Sequence, residues 1–495
     1  MRAPGKEYRL CRWAHVGRER SLLSALRCDQ HTQTTDGVPY VFTDGYNLAG
    51  LNTSTTYPSG RQVKTTYDAA GRVNGVQSVM TGHVADVVKS VSYHPHGAAL
   101  DLGLANGVTV SRTYNAWLQP VRIQAGSLMM LDYGYWVNGN NGNLQSHTVT
   151  RGVLIDSQTF QYDSKNRLSN ASGTGWGENF QTDDSGNRAM VGAYPSWLAT
   201  AFTPTSLTNF GATNNRVYVN GAAYDSVGNQ TAIGGYVSTY DGENRQRTST
   251  LNSNTTTYTY DGDGRRVKKV TPSATTIYVY SVSGELAAEY GTNANPVSGM
   301  RYLTPDMLGS VRLVSNAIGG VVSCHDYFPY GEEIVATAAG TRSGCYAVGD
   351  GVAERFTGKK RDSETGLDYF GARYFSGAQG RFASADPVSL TAGRLSDPQS
   401  LNLYAYSRNN PFRFVDPTGM DPVPVPCEEP GSGNCYSTEE AQKNSSTGSI
   451  VDTVAEVAKD TVVGGMKEVG NTLIGAANAI NAPVDAVLST FTSFR

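Results

Sequence analysis

The 495-residue chain lacks the features that mark the common classes of membrane protein and enzyme. It contains no run of 18 consecutive apolar residues, so no segment is predicted to span a membrane. A Gly-rich phosphate loop, a Gly-x-Ser-x-Gly turn and a His-Glu-x-x-His motif are also absent. Because these motifs hold phosphates, nucleophiles and zinc, the sequence predicts no cofactor.

Charged and metal-binding side chains are sparse as well. Charged residues make up 17% of the chain and the formal net charge is −3, so nucleic acid is not an expected partner. The six cysteines show no metal-site spacing, and Cys427 and Cys435 either pair in their Pro/Gly segment or remain free thiols. His94 and His96 share one strand face without an evident third ligand, so no metal site is predicted.

A tyrosine–aspartate signature returns along the chain. Clear copies occupy 67–72, 162–167, 224–229, 240–245 and 260–266. The last three copies begin roughly twenty residues apart, a period typical of stacked supersecondary units. Repeats of this kind build a scaffold, so function is expected where the repetition ends.

Each copy is predicted to form strand, turn and strand. Tyr258 and Tyr260 alternate on one strand face, Asp261 can accept bonds from backbone amides two residues on, and Gly264 can take a positive φ angle. A run of copies therefore predicts an antiparallel meander. Most of the 29 tyrosines are expected to pack against strands with the hydroxyl toward solvent, and the alternative is that they stack on sugars.

Between about residues 300 and 420 the repeat gives way to a block of longer motifs. These are 306–312, 326–332, 356–362, 364–370, 372–375, 380–387, 401–406, 409–411 and 415–420. The block resembles the RHS-associated core domain of bacterial RHS/YD-repeat proteins, and the copies before it resemble the YD repeats of that family. Relatives include the C component of insecticidal toxin complexes, polymorphic RHS toxins and the YD shell of teneurins.

The resemblance, which covers about residues 38 to 420, implies a fold and an activity. It implies an all-β fold in which an antiparallel strip of YD repeats spirals into a hollow shell, complete or incomplete. In the toxin relatives the core block closes one end of the shell and cuts the chain after its final Asp-Pro-x-Gly-aliphatic sequence. The variable C-terminal segment is then retained inside as cargo.

The site residues are carried over from the same motifs. Asp386 and Asp416 match the two Asp-Pro aspartates and Arg373 matches the arginine of the Ala-Arg-Tyr-aromatic motif, which places the scissile bond between Met420 and Asp421. Two carboxylates that share a proton can activate water and protonate the leaving group, and a cation can hold one of them ionised. The structural alternative is that both Asp-Pro pairs only start turns and Arg373 only forms an ion pair.

The chain departs from the family pattern at three places. Ser389 stands where the family usually has Gly, the insertion at 391–400 separates the two aspartates more widely, and Met420 replaces the commoner Leu. Asp397 adds a further Asp-Pro inside the insertion. An insertion in a loop need not move the loop's ends, so the two aspartates can still meet.

Five segments follow from these patterns. They are a basic non-repeat segment (1–37), YD repeats (38–300), an RHS-associated core domain (301–420), a Pro/Gly-rich linker (421–448) and a variable tail (449–495). In the tail, Val462, Met466, Val469 and Leu473 recur at helical spacing, so we expect a short α-helical C-terminal tail. The N-terminal stretch has no apolar core of a signal peptide, and we expect the start to be truncated or misassigned.

The sequence thus predicts a secreted or cell-surface exported shell protein that encloses and cleaves its own C-terminal segment, in toxin delivery or competition between cells. Its only predicted enzymatic activity is autoproteolysis. Expected partners are the enclosed segment and either a second chain completing the shell or a secretion-system component. The alternative is a non-cleaving surface scaffold that binds glycans or partner cells.

Overall fold

The computed structural model describes residues 10–13, 28–80, 83–192, 194, 200–292, 299–334, 342–347, 349–387, 397–425, 457–461 and 467–471. Nearly all regular structure in these residues is antiparallel β-sheet. The described helical turns are short 3-10 helices at Leu207–Asn209, Gly344–Ala347, Phe356–Gly358, Pro398–Leu401 and Ser407–Asn409. The predicted all-β fold is confirmed.

The largest sheet has 16 strands that follow one another in chain order. They are β1 Leu10–Trp13, β2 Cys28–Thr35, β3 Val38–Tyr46, β4 Asn52–Thr56, β5 Gln62–Tyr67, β6 Val73–Met80, β7 His83–Tyr93, β8 Ala99–Leu104, β9 Thr109–Tyr114, β10 Pro120–Ala125, β11 Met129–Tyr135, β12 Leu144–Arg151, β13 Leu154–Tyr162, β14 Leu168–Gly173, β15 Trp176–Thr182 and β16 Arg188–Val191. This unbroken order is the meander that the repeat predicts.

A second sheet continues the repeats, and smaller sheets build the core block. The second sheet contains β17 Ala223–Tyr224, β18 Gln230–Ile233, β19 Tyr236–Tyr240, β20 Gln246–Leu251, β21 Asn254–Tyr260, β22 Arg266–Val270, β23 Thr275–Tyr280 and β24 Leu286–Thr292. The smaller sheets are β25 Arg301–Pro305 with β26 Val311–Asn316 and β27 Val321–Cys324; β28 Lys360–Arg361 with β29 Asp368–Tyr369, β30 Tyr374–Ser376 and β31 Arg381–Phe382; and β32 Phe414–Val415 with β33 Val423–Pro424.

In its described residues, the C-terminal tail forms strands instead of the predicted helix. Most of the expected helical tail lies outside the described residues. The two segments that are described, β34 Val457–Thr461 and β35 Lys467–Asn471, are strands, and β35 pairs with β24 at the edge of the second sheet. An unpaired sheet edge offers backbone hydrogen bonds to any extended segment, which explains how helical spacing in the sequence is overridden.

The aspartate of each repeat organises its turn as predicted. The Oδ1 atom of Asp261 accepts hydrogen bonds from the amides of Asp263 (3.0 Å) and Arg265 (2.8 Å), and Gly264 has φ +83°. In other copies the glycine position is taken by Asn166 (φ 61°) or Asn244 (φ 62°). Asparagine tolerates this left-handed conformation better than most residues, so the turn geometry is kept.

The tyrosine of each repeat connects it to the preceding strand. The strand register shifts between Thr259 and Tyr260, and the Tyr260 hydroxyl donates to the Gln246 carbonyl oxygen at 2.7 Å. The same bond joins Tyr162 to Leu144 at 2.8 Å. These hydroxyls therefore satisfy backbone carbonyls instead of reaching solvent as expected, so each copy is joined to the one before it.

The core block packs against the buried face of the first sheet. Phe160, Trp176 and Phe180 lie on alternate, inward positions of β13 and β15. Their rings contact Phe412, Phe328 and Tyr330, with centroids 4.1, 4.9 and 5.5 Å apart. Aromatic pairs of this size contribute both buried area and specific geometry, so they fix the core block on the repeat sheet.

A buried ionic cluster forms a second contact between the core block and the repeats. Asp326 is fully buried and accepts hydrogen bonds from Arg151 (2.9 Å), Arg312 (2.6 Å) and Arg342 (3.0 Å). Tyr346 donates to the same carboxylate at 2.7 Å. These cations hold the pKa of Asp326 far below its usual range against the opposing effect of burial, so the carboxylate stays charged.

Candidate autoproteolytic site

The three predicted site residues lie next to three separate strands of the core block. Arg373 immediately precedes β30, Asp386 follows β31 and Asp416 follows β32. β30 and β31 are neighbours in one small sheet. The amide of Asp386 donates to the Leu403 carbonyl oxygen at 2.9 Å, which fixes the chain beyond β31.

Arg373 brings the two aspartates together. Its Nη2 atom lies 3.4 Å from Oδ2 of Asp386 and 3.4 Å from Oδ2 of Asp416. The two carboxylate oxygens are therefore separated by at most twice that distance. All three side chains are at least nine-tenths buried, and the guanidinium lies over the Phe382 ring at 3.7 Å. The predicted sharing of one proton between the carboxylates stays a prediction.

Asp416 shapes the peptide that follows it. Its Oδ1 atom accepts hydrogen bonds from the amides of Thr418 (3.2 Å), Gly419 (2.7 Å) and Met420 (3.0 Å). We call residues 416–420 the Asp416 turn. One carboxylate oxygen thus orients three successive amides and leaves Oδ2 facing Arg373.

The carbonyl oxygens of the Asp416 turn also accept hydrogen bonds, in this case from Lys359, Ala372 and Arg373. Lys359 Nζ donates to Pro417 at 2.7 Å and the Ala372 amide donates to Thr418 at 2.9 Å. Arg373 donates from Nε to the Gly419 carbonyl oxygen and from Nη2 to the Met420 carbonyl oxygen, the latter at 3.4 Å. Every carbonyl from 417 to 420 therefore has a donor, so this peptide is held in one conformation.

Close backbone packing explains the glycine in the turn. Gly419 has φ +76°, and a Cβ there would lie 3.0 Å from the Phe370 carbonyl oxygen and 3.1 Å from the Arg373 amide nitrogen. Both the left-handed conformation and these contacts exclude a larger residue without displacement of the turn. The glycine of the family's Asp-Pro-x-Gly motif thus has a steric reason in this chain.

Burial has the largest effect on the pKa of the Asp416 carboxyl. Removal from water raises the pKa of its carboxyl, and the Arg373 charge, the Gly419 amide and the Lys359 charge oppose that rise. The pKa remains above the ordinary aspartate value. A carboxyl in such an environment is suited to hold or donate a proton nearer neutral pH than an exposed aspartate.

The structure also places the residues around the predicted scissile bond. Met420 is 39% exposed, whereas Gly419 before it is buried. Asp397 lies in a different environment, because it caps the 3-10 helix Pro398–Leu401 and pairs with Arg408 at 3.1 Å. Ser389 lies outside the described residues, as does the insertion up to residue 396.

Two contacts were not predicted from the sequence. Lys359 belongs to a core-block motif and reaches the Asp416 turn, but nothing in its local sequence indicates this. Cys324 and Cys345, 21 residues apart, form a disulfide. Cys427 and Cys435, for which a pairing was considered, lie outside the described residues.

No group of three or more His, Cys, Asp or Glu side chains suited to a metal ion occurs in the described part of the chain. His94 and His96 contact each other edge to face at 4.1 Å, in the turn between β7 and β8. Burial and the neighbouring His94 lower the pKa of His96 to about 4.

Comparison with known proteins finds sequence similarity to toxin subunits. Toxin subunit YenC2 of Yersinia entomophaga is 41% identical over 105 residues, which are 21% of this chain and 10% of that protein. Toxin protein Tse5 of Pseudomonas aeruginosa is 42% identical over 66 residues, 13% of this chain and 4% of that protein. This chain is thus similar in sequence to known toxin proteins, in agreement with its resemblance to RHS/YD-repeat proteins. No protein-family profile matches it.

A solved structure agrees with the fold. The crystal structure of TcdB2–TccC3 superimposes with a TM-score of 0.63 at 20% identity, covering 79% of this chain and 24% of that one. The predicted β-shell fold class is therefore confirmed. The chain spans about a tenth of YenC2 and about a quarter of TcdB2–TccC3. In the described residues, no helix is long and apolar enough to cross a membrane.

Proposed function

We propose that this chain is a toxin-related shell protein that hydrolyses its own Met420–Asp421 bond and keeps the released C-terminal segment as cargo. The observation that carries the proposal is the convergence of Asp386, Asp416 and the Met420 carbonyl oxygen on the Nη2 atom of Arg373. A purely structural ion pair would not require the arginine to contact the carbonyl of the scissile bond.

The chemistry is hydrolysis by two carboxyl groups. Ionised Asp386 removes a proton from water, and the water oxygen attacks the Met420 carbonyl carbon while Arg373 stabilises the negative charge on the carbonyl oxygen. We assign the proton to Asp416, because burial raises the pKa of its carboxyl above the ordinary aspartate value. It gives its proton to the nitrogen of Asp421 as the carbon–nitrogen bond breaks, so one water is consumed for each bond cleaved.

Intact-mass measurement of the full chain tests this mechanism. Wild type is expected to yield a fragment ending at Met420 and a second fragment of residues 421–495. The Asp386→Asn and Asp416→Asn variants keep the shape of the side chain but lose the ionisable group, so each should remain one species of 52.9 kDa. Asp397→Asn should cleave like wild type, because Asp397 only caps a helix and pairs with Arg408. A wild-type chain that stays whole at every pH between 5 and 8 would overturn the proposal.

The cargo role has its own test. One solved relative is a TcdB2–TccC3 structure without its hypervariable C-terminal region, and that shell matches 81% of this chain. If residues 421–495 of this chain are cargo, the small fragment should elute with the large one in gel filtration after cleavage. Early elution of the shell without the fragment would contradict retention.

The same relatives support export and a partner chain for this protein. YenC2 is a toxin subunit, and TcdB2–TccC3 contains two toxin components. We infer that this chain is secreted or exported and works with a second chain or a secretion-system component. The alternative role is a glycan-binding scaffold, to which repeat tyrosines such as Tyr162 and Tyr260 would offer their rings, because their hydroxyls donate to backbone carbonyls.

A further inference from the structure

Lys359 brings a second positive charge to a site that already contains two carboxyl groups and Arg373. Asp386 and Asp416 bring two negative charges when ionised, and Arg373 brings one positive charge. Lys359 supplies a second positive charge and donates from Nζ to the carbonyl oxygen of Pro417, the residue next to Asp416, at 2.7 Å.

Lys359 is held in place at both ends. Its amide donates to the Phe356 carbonyl oxygen at 3.0 Å, and its own carbonyl oxygen accepts from the Arg355 amide at 2.8 Å. The Nζ atom lies 5.5 Å from the centre of the Phe370 ring, an arrangement that favours a cation over an aromatic face. A lysine ordered in this way can fix a peptide as well as supply charge.

We propose that Lys359 is a positioning residue for cleavage, which fixes the Asp416 turn through Pro417 and places a second positive charge beside the carboxyl group of Asp416. This inference rests on the proposed function. It assigns to Lys359 a part in the reaction beyond that of Asp386, Asp416 and Arg373.

The electrostatic argument concerns the groups that face Asp416. They are Arg373, Lys359, Asp386 and the hydroxyl of Tyr406, which stays neutral because burial keeps its pKa well above the ordinary value. The Lys359 charge lowers the pKa of Asp416 against the effect of burial. If that charge is removed, Asp416 keeps its proton to a higher pH.

The test compares cleavage rates between pH 4 and 9 in the full chain. Lys359→Met should slow cleavage and move the alkaline limb of the pH profile, where Asp416 loses its proton, upward by on the order of one pH unit. Lys359→Arg keeps the charge and should restore the wild-type pH profile. Lys165→Met is the matched control, because Lys165 is half-exposed and pairs with Asp184 away from the site.

Two outcomes in this series would overturn the inference. One is a wild-type rate and profile in Lys359→Met. The other is a loss of rate without any displacement of the profile, since a merely structural lysine would produce that result.

A second measurement separates this inference from the proposed function. In the uncleaved Asp386→Asn background, the pH dependence of unfolding should change when Lys359→Met is added. That change should disappear when Asp416→Asn is added as well, because the titrating partner is then absent. If wild type never cleaves, the proposed function fails but this cycle still decides whether Lys359 controls Asp416. If Lys359→Met changes the pH dependence of unfolding equally with and without Asp416, the inference about Lys359 is overturned.

Discussion

The side-chain amide of Asn410 donates to Oδ1 of Asn143 at 2.8 Å, across 267 residues of sequence. The same amide donates to the Asn166 carbonyl oxygen at 2.7 Å. Asn143 lies in the turn between β11 and β12, Asn166 lies in the turn between β13 and β14, and Asn410 belongs to the core block. The buried Asn410 side chain therefore bonds to two repeat turns at once and aligns the core block with them.

Asn410→Ala should lower the free energy of unfolding by about 1–3 kcal/mol, because it leaves buried polar groups of two turns without their donor. Thermal or denaturant unfolding of the full chain measures the change. Asn254→Ala is the control, since Asn254 is exposed at the start of β21. Equal effects of the two substitutions would show that the amide bonds do not align the two parts.

The disulfide between Cys324 and Cys345 should stabilise the core block only under oxidising conditions. It closes a loop of 21 residues and holds the segment that supplies Arg342 and Tyr346 to Asp326. Closing a loop of this size stabilises a protein by about 3 kcal/mol in the chain-entropy treatment. A thiol reductant should therefore lower the Tm of wild type.

Cys345→Ser isolates this disulfide from the other cysteines. The variant should melt below oxidised wild type and should match wild type once both are reduced. A reductant that lowers the Tm of the variant as much as that of wild type would assign the stabilisation to a different cysteine pair.

Glu178 should make the protein less stable as the pH rises. It is 3% exposed on β15, and burial, opposed by Arg188 and reinforced by Glu332, raises the pKa of its carboxyl to about 8. The folded state then binds a proton that the unfolded state releases near the ordinary glutamate pKa of 4.5. Stability from this group is therefore present in acid and lost as the pH rises from about 5 to 8.

The Glu178→Gln variant should remove this pH dependence. A shift of several pKa units corresponds to on the order of a few kcal/mol, so the variant should be more stable than wild type at pH 8 and similar at pH 5. Unfolding at both pH values is the measurement, with the exposed Glu243→Gln as control. A variant less stable than wild type at pH 8 would show that the ionised carboxylate has a favourable partner.

The sequence predicts local geometry in the repeats better than it predicts the contacts between them. The turn at Asp261 and the positive φ at Gly264 follow from residue type, and both are present. The register shift at Tyr260 and its bond to Gln246 depend on the neighbouring strand, which residue type alone does not specify.

At the candidate site as well, the sequence alone does not specify the contacts between distant segments. Two Asp-Pro pairs thirty residues apart do not by themselves indicate a shared site, and only the family resemblance selected Asp386, Asp416 and Arg373. The structure brings them together at one guanidinium nitrogen. Lys359 was not predicted, because its contact with Pro417 joins segments 58 residues apart.

Gly419→Ala tests whether the shape of the Asp416 turn, apart from its charges, controls cleavage. The added Cβ would meet the Phe370 carbonyl oxygen at 3.0 Å and the Arg373 amide nitrogen at 3.1 Å, so the turn must move. Displacement of a reacting group by about 1 Å can cost on the order of 100-fold in rate. We expect cleavage after Met420 to slow by that order, as measured by the appearance of the fragment of residues 421–495.

Gly37→Ala is the matched control for this substitution. Gly37 has φ +80°, close to the +76° of Gly419, but a Cβ there would meet nothing within 4 Å. Both variants therefore carry the backbone cost of a left-handed alanine, about 1–2 kcal/mol, and only Gly419→Ala adds the displacement at the site. Gly37→Ala should cleave at the wild-type rate. If both variants slow equally, the effect reflects general destabilisation of the shell, and the shape of the Asp416 turn does not limit cleavage.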